Sequence, residues 1–387
     1  MPILVASNSE HSLVPEIANG ITVDLDDPPA ALQAIIAAVG SRDVACVLAT
    51  DDSCAELASR VAAHFGLRHN LPAAAQLTQR KDLGREALAL AGCRTPEFRV
   101  IDIASAGSTG PGIDYPVVVK PLGLSASRGV IRADDGPQFV AACRRIDALL
   151  ETIGVSGYPR DHLLVESYID GAEFAVEGFI VDGELETIAV FDKPEPLTGP
   201  FFEETYYVTP SRLPAGQRQQ LLDELARCCR AYGLQQGPVH AELRIAADGP
   251  VLLELAARTI GGQCGRLIEF SSRQKLEELV IKGMCGMPFE RQARAGSAGV
   301  LMIPITEAGI LQRVEGLTAA MQTRFVEDIE IHINPGYELV PLPEGASYLG
   351  FIFAQAPDFE RTYGALRSAH GRLRFVTRPS WKLENLG

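Results

Sequence analysis

The chain has 387 residues, 47% hydrophobic and 22% charged, a composition that suits a globular protein of two or three domains. A formal net charge of −14 argues against a nucleic-acid partner, because phosphate-backbone recognition rests on clustered Lys and Arg. No apolar run approaches the ~20 residues of a membrane helix and residues 1–10 lack a basic-then-apolar leader pattern, so a cytoplasmic protein without membrane contact is expected.

Residues 1–75 alternate short apolar runs with helical patterns: strands at 3–5 and 44–48, helices over 29–39 and 52–65. This is the βαβ rhythm of a parallel sheet. Asp51-Asp52-Ser53 supplies a cap for the second helix. No G-x-G-x-x-G follows the first strand, so a dinucleotide fingerprint is absent. A helix is expected over 78–91, ended by Gly92, and the Gly/Ser-rich stretch 105–114 reads as a connector. Strands over 115–121 and 130–131 flank a small-residue loop at 122–129. Three more fall at 163–169, 173–181 and 184–191, the last two closed into a hairpin by Asp182-Gly183. An amphipathic helix over 215–232, a hairpin over 239–258, a helix over 273–285 and an α+β tail complete the chain. The eight cysteines show no C-x-x-C pair and the histidines no ligand spacing, so reduced thiols and no zinc site are expected.

The hairpin carries the most chemistry. With Ala247-Asp248-Gly249 as its loop, Ala246 faces Pro250 and Glu242 faces Glu254. Like charges opposite one another on apolar strands are unfavourable, and a divalent cation between them removes the objection. Magnesium suits two carboxylates that leave positions for waters and nucleotide phosphates. Strand alternation then places Ala256 and Arg258 on the face of Glu254, where a guanidinium can hold a carboxylate or a transferring phosphoryl group. Lys120 ends a run of three valines, a costly place for an ammonium unless an anion waits there. The loop after it, with Ser125 and Ser127, can bring backbone N–H groups close to phosphate oxygens, although it is no Walker A motif. Glu166 and Glu173 flank the Asp170-Gly171 turn; beside Lys120 they suit the adenine amine and ribose hydroxyls, and a solvated surface pair is the alternative.

In this order of parts the chain resembles the ATP-grasp superfamily, and within it the carboxylate-amine ligases typified by L-amino acid ligases. The resemblance implies nucleotide contacts at Lys81 and Lys120, a phosphate loop over Ser125, Ser127 and Gly129, an adenine hinge at Glu166, Tyr168 and Ile169, and a ribose acid at Glu173. It implies metal carboxylates at Glu242 and Glu254 and a reactive-centre arginine at Arg258. Many members carry an asparagine metal ligand where this chain has Ala256. The stretch 198–205 resembles the segment that holds a substrate amino group, with Glu204 favoured over Glu203, and Gly262 sits where the subgroup varies its pocket size, glycine leaving room for a larger side chain.

The fold expected is therefore multi-domain α/β and α+β: an N-terminal parallel-sheet βαβ domain over 1–75, an ATP-grasp domain over 76–298 with its small lobe at about 115–195, and a C-terminal α+β portion over 299–387. The expected activity is ATP- and Mg2+-dependent ligation of a carboxylate and an amine, both amino acids, through an acyl-phosphate. A carboxylase of the biotin carboxylase type and a non-catalytic nucleotide-binding module stay open. Dimerisation is common in related enzymes, and nothing in this chain demands it.

Overall fold

The computed structural model describes residues 3–8, 19–288 and 295–379. At the N-terminal end β1 (Leu4–Ser7) and β2 (Asn19–Thr22) pair in parallel. The helix Pro28–Val39 follows, its first turn capped by Asp27 accepting from Ala30 N. The helix Ala55–His64 starts through a 3-10 turn capped by Asp51. The strand expected at 44–48 does not form: the segment joins no ladder. It is held by side chains instead, Val47 packing on the N-terminal core with Val23, Leu57 and Val61, and Leu48 packing on the core around Phe179 and Phe353.

The helix expected over 78–91 is two helices, Pro72–Gln79 and Lys81–Leu90, separated by Arg80 with φ −98 and ψ 97. The break has a tertiary cause. Lys81 N, the first amide of the second helix, donates to Leu122 O at 3.0 Å rather than within a continuous helix. That bond brings Lys81 beside the 122–129 loop. The 105–114 connector contains a short helix, Ala106–Thr109.

A four-stranded antiparallel sheet comprises β3 (Phe98–Asp102), β4 (Val117–Pro121), β5 (Ile131–Ala133) and β6 (His162–Ser167), in the order β3-β6-β4-β5. The helix Gly136–Thr152 covers it, burying Phe139, Ile146 and Leu150 against Val117, Val119 and Val165. Next come β7 (Ala172–Val181), β8 (Glu184–Asp192), β9 (Tyr206–Thr209), β10 (Gln236–Ala246), β11 (Gly249–Ala256) and β12 (Ser297–Ile303). The C-terminal part adds β13 (Gly309–Glu315), β14 (Val326–Ile331), β15 (Glu338–Leu339), β16 (Gly350–Ala356) and β17 (Arg374–Arg378). Eight of these strands form one sheet in the order β11-β10-β7-β8-β9-β12-β16-β14, and β15-β13-β17 form a smaller one. The β7–β8 hairpin turns at Asp182 and Gly183, both with positive φ, as the Asp-Gly pair requires.

The helix Ala215–Tyr232 forms where its periodicity places it, packing Leu221, Leu225 and Cys228 on Val176, Ala241 and Leu252. The helix expected over 273–285 forms as Leu276–Met284, and a further helix, Gly265–Ser272, precedes it, ending at Arg273 in the left-handed region. Ser272 Oγ bonds back to Ile268 O and accepts from Gln274 N, which ends the first helix and turns the chain.

Candidate functional site

The β10–β11 hairpin sets the floor of the site. Its connection is one residue shorter than the sequence count, since Ala246 pairs with Gly249 and Ile245 with Pro250. Continued without interruption, that register would place Glu242 opposite Leu253. A bulge between Glu242 and Leu243 absorbs the extra residue, so Glu242 still faces Glu254 and His240 faces Ala256. The bulge leaves Leu253 O to accept from Arg85 Nη2 at 2.6 Å.

Above this floor lies a cleft with about 660 Å³ of non-atom space, partly open to solvent, between the two larger sheets. Lys81, Lys120, Ser127, Glu166, Tyr168, Ile169, Glu173, Glu204, Glu242 and Glu254 all line it. Ser125, Arg258 and Gly262 do not. Residues from five separate strands and one helix end thus meet in the same space.

Each charged group in the cleft is already matched. Glu166 lies between Arg85 Nε and Lys120 Nζ, each 2.5 Å from one of its oxygens, with its side chain 2% exposed. Burial alone would raise its pKa, but the two cations outweigh that and lower it to about 2. Lys81 Nζ donates to Leu124 O at 2.7 Å and stands 3.4 Å from Glu254 Oε1. Arg244 Nε contacts Glu173 Oε2 at 2.8 Å, and its other nitrogens donate to Ile169 O and Leu197 O. The guanidinium groups of Arg132 and Arg244 both stand over the Tyr168 ring, 4.2 and 5.1 Å from its centroid.

The centre of the site is Lys193, whose side chain is 2% exposed. Its ammonium contacts Glu173 Oε1 at 2.8 Å, Glu204 Oε1 at 2.5 Å and Glu242 Oε1 at 2.8 Å. Burial would favour the neutral amine, yet three carboxylates hold its pKa well above the usual lysine value. Glu242 is held well below the ordinary range: burial opposes this, and Lys193 and His240 overcome it. Glu204 goes the other way, pushed up to about 8 by burial and the neighbouring Glu242 charge. The Tyr207 hydroxyl donates to Glu204 Oε2 at 2.7 Å. Behind the cluster, the buried His240 lies 3.6 Å from Glu242 and from Glu177, and these acids raise it to about 9 against its own burial.

Glu173, Glu204 and Glu242 bring three oxygens within 4.8 Å of one another around the Lys193 ammonium; Glu254 is outside this group. The facing pair therefore divides, Glu242 toward Lys193 and Glu254 toward Lys81. Arg258 bonds Asp52 Oδ2 at 2.8 Å, which brings an N-terminal acid to the edge of the site. Beside Gly262 the space is filled: a Cβ there would lie 2.3 Å from Met302 Sδ, so the room expected for a larger substrate side chain is occupied by methionine. The phosphate-type loop has Ala126 and Ser127 at φ 54. It is tied to the C-terminal part by Gly129 N donating to Pro343 O at 2.9 Å and by Arg128 Nε donating to Glu344 O at 2.8 Å.

Sequence reasoning passed over Lys193, Arg85, Arg244 and His240. Two signals were available: Lys193 is one of six lysines and directly follows a buried strand, and Arg244 shares the face of Glu242 by period-2 alternation.

The sequence pattern of the ATP-grasp domain matches residues 113–266, and that of the L-amino acid ligase C-terminal domain 2 matches residues 301–378. An L-amino acid ligase structure from Bacillus licheniformis shares the fold with a TM-score of 0.78 at 24% identity, covering 93% of this chain and 87% of that one. Dapdiamide A synthase of Enterobacter agglomerans is 30% identical over 176 residues, 43% of this chain and 39% of that protein. Uncharacterized protein y4rH of Sinorhizobium fredii is 27% identical over 324 residues, 82% of this chain and 65% of that protein. The chain spans less than two thirds of the length of either curated relative. With the cleft lying between the two sheets, the chain thus carries an ATP-grasp domain over residues 113–266, followed by the C-terminal domain 2 of L-amino acid ligases over 301–378.

Proposed function

We propose that this protein is an ATP-dependent carboxylate-amine ligase that joins amino acids through an acyl-phosphate, with residues 76–298 as its ATP-grasp unit. The observation that carries the reading is the convergence of Lys81, Lys120 and Glu254 with the Lys193–Glu173–Glu204–Glu242 cluster in one cleft. Lys81 and Lys120 reach the nucleotide phosphates by exchanging their partners Glu254 and Glu166 for phosphate oxygens. Tyr168 and Ile169 form the adenine wall, and Glu173 faces the ribose hydroxyls. Arg258 binds the carboxylate to be activated, and Glu204 receives the substrate ammonium.

The facing pair fits a hard divalent cation, because Glu242 and Glu254 are carboxylates paired across the β10–β11 ladder and both line the cleft. Glu242 and Glu254 would hold Mg2+, which supplies charge neutralisation to the nucleotide phosphates. In the first step the substrate carboxylate attacks the γ-phosphate of ATP and ADP leaves. An amine then attacks the acyl carbon and phosphate leaves. The chain's own cations carry the orientation: bidentate arginine fixes the carboxylate plane, and the lysines offset charge on the transferring group.

The test is ADP release with ATP, Mg2+ and amino acids offered singly and in pairs, with the condensed product read by mass spectrometry. Turnover requiring amino acids, with a dipeptide formed, supports the ligase. Turnover with bicarbonate alone would move the reading to carboxylation, and nucleotide binding without turnover on any pair would replace it with a binding module.

A further inference from the structure

The segment that carries Cys46 bridges two cores without a strand ladder, Val47 packing on one side and Leu48 on the other. Opposite it, Cys285 ends the helix Leu276–Met284, its N–H donating to Ile281 O. The two sulfurs lie 3.7 Å apart although the residues are separated by 239 positions. Both thiols are only half-buried. A second cleft, with about 420 Å³ of non-atom space open in part to solvent, is lined by Val47, Leu48 and Met284, the immediate neighbours of the pair.

We propose that Cys46 and Cys285 form an oxidisable site that a low-molecular-weight disulfide, such as oxidised glutathione, converts to a Cys46–Cys285 disulfide. The Cys285 thiolate attacks one sulfur of the reagent, forming a mixed disulfide and releasing one small thiol. Cys46 then gives up its proton and attacks the Cys285 sulfur, closing the protein disulfide and releasing the second thiol. Two protein thiols are oxidised and one reagent disulfide is reduced, so the exchange balances without another reactant. Burial and the Cys285 neighbour push Cys46 up to about 11, so its thiolate is scarce at pH 8 and its attack is the slow step.

A disulfide needs the sulfurs at about 2.05 Å. A segment held by two side chains rather than by a ladder can supply that approach. The bond would fix the chain just before Asp52, the carboxylate that holds Arg258. Cys93 and Cys228 serve as the internal comparison, since both are buried in the central core.

The experiment treats the full chain with oxidised glutathione at pH 8, blocks remaining thiols, and digests it without reduction for mass spectrometry. The expected product is a cross-linked peptide pair containing Cys46 and Cys285, two hydrogens lighter than the sum and released by dithiothreitol. Thermal unfolding of the oxidised protein is expected to rise and to fall back on reduction, and Cys46→Ser and Cys285→Ser are each expected to abolish that rise. Recovery of both residues as blocked thiols, or as separate glutathione adducts, would overturn the proposal. So would a cross-link through Cys93 or Cys228 in place of this one.

Discussion

Replacing Lys193 by Met removes the cation at the centre of the acidic cluster while keeping a side chain of similar length. Three bonds of 2.5–2.8 Å are lost from a side chain that is 2% exposed. The acids are not stranded equally. Glu173 keeps Arg244, Glu204 keeps Tyr207, and Glu242 is left with His240 at 3.6 Å and the shared Tyr207 hydroxyl at 3.4 Å. Breaking a buried ion pair by deleting one partner costs roughly 3–5 kcal/mol. Because Glu204 takes up a proton readily, a loss near the lower end, about 3 kcal/mol, is expected at pH 7. The loss should shrink as the pH falls toward 5 and more of the cluster is protonated. Urea unfolding of both proteins at the two pH values measures it, and an unchanged slope against urea shows that stability rather than compactness has moved. Adding Glu204→Gln to the variant should recover part of the loss. A cost below about 1 kcal/mol at pH 7, the scale of an exposed pair, would refute the reasoning, as would equal costs at both pH values.

The raised Glu204 pKa makes a signed prediction of its own. A carboxyl shifted from the usual 4.5 to about 8 contributes stability that is fully present below 4.5 and is lost as pH rises through 8. The stability of Glu204→Gln relative to the parent should therefore improve steadily across that window in urea titrations, and a flat difference would count against the shift. Under the proposed function, Glu254→Gln removes one charged contact worth about 1.5–3 kcal/mol, so Mg2+-dependent ADP release should fall by about tenfold or more. Unchanged turnover would sink the assignment. Gly262→Ala places a Cβ in the left-handed region against Met302 Sδ and should lower stability by about 1–2 kcal/mol in urea unfolding.

Much of the site was legible because its signals are local. Three valines before Lys120, the acids around Asp170-Gly171 and two glutamates on one apolar hairpin are short-range patterns, and all of these charged residues line the cleft. Glu242 was placed opposite Glu254 by a count that had two compensating faults, a loop one residue too long and no bulge. A bulge leaves no unambiguous mark in a run such as Val251-Leu252-Leu253, since every residue there is apolar and the period-2 pattern is silent.

The sequence by itself determined the elements whose cause lies within a few residues: the 215–232 helix from its periodicity, the β7–β8 hairpin from Asp-Gly, and the order of parts that marks the ATP-grasp domain. Only the tertiary structure decided the features fixed by distant partners. Lys81 begins a new helix because its amide finds Leu122 O, and the 44–48 segment stays out of a sheet because two cores hold it. Lys193 becomes the centre of the site because Glu173, Glu204 and Glu242 reach it from different parts of the chain. Propensity and periodicity act over one or two turns, whereas a buried charge is placed by whichever opposite charges the completed fold brings within hydrogen-bond distance.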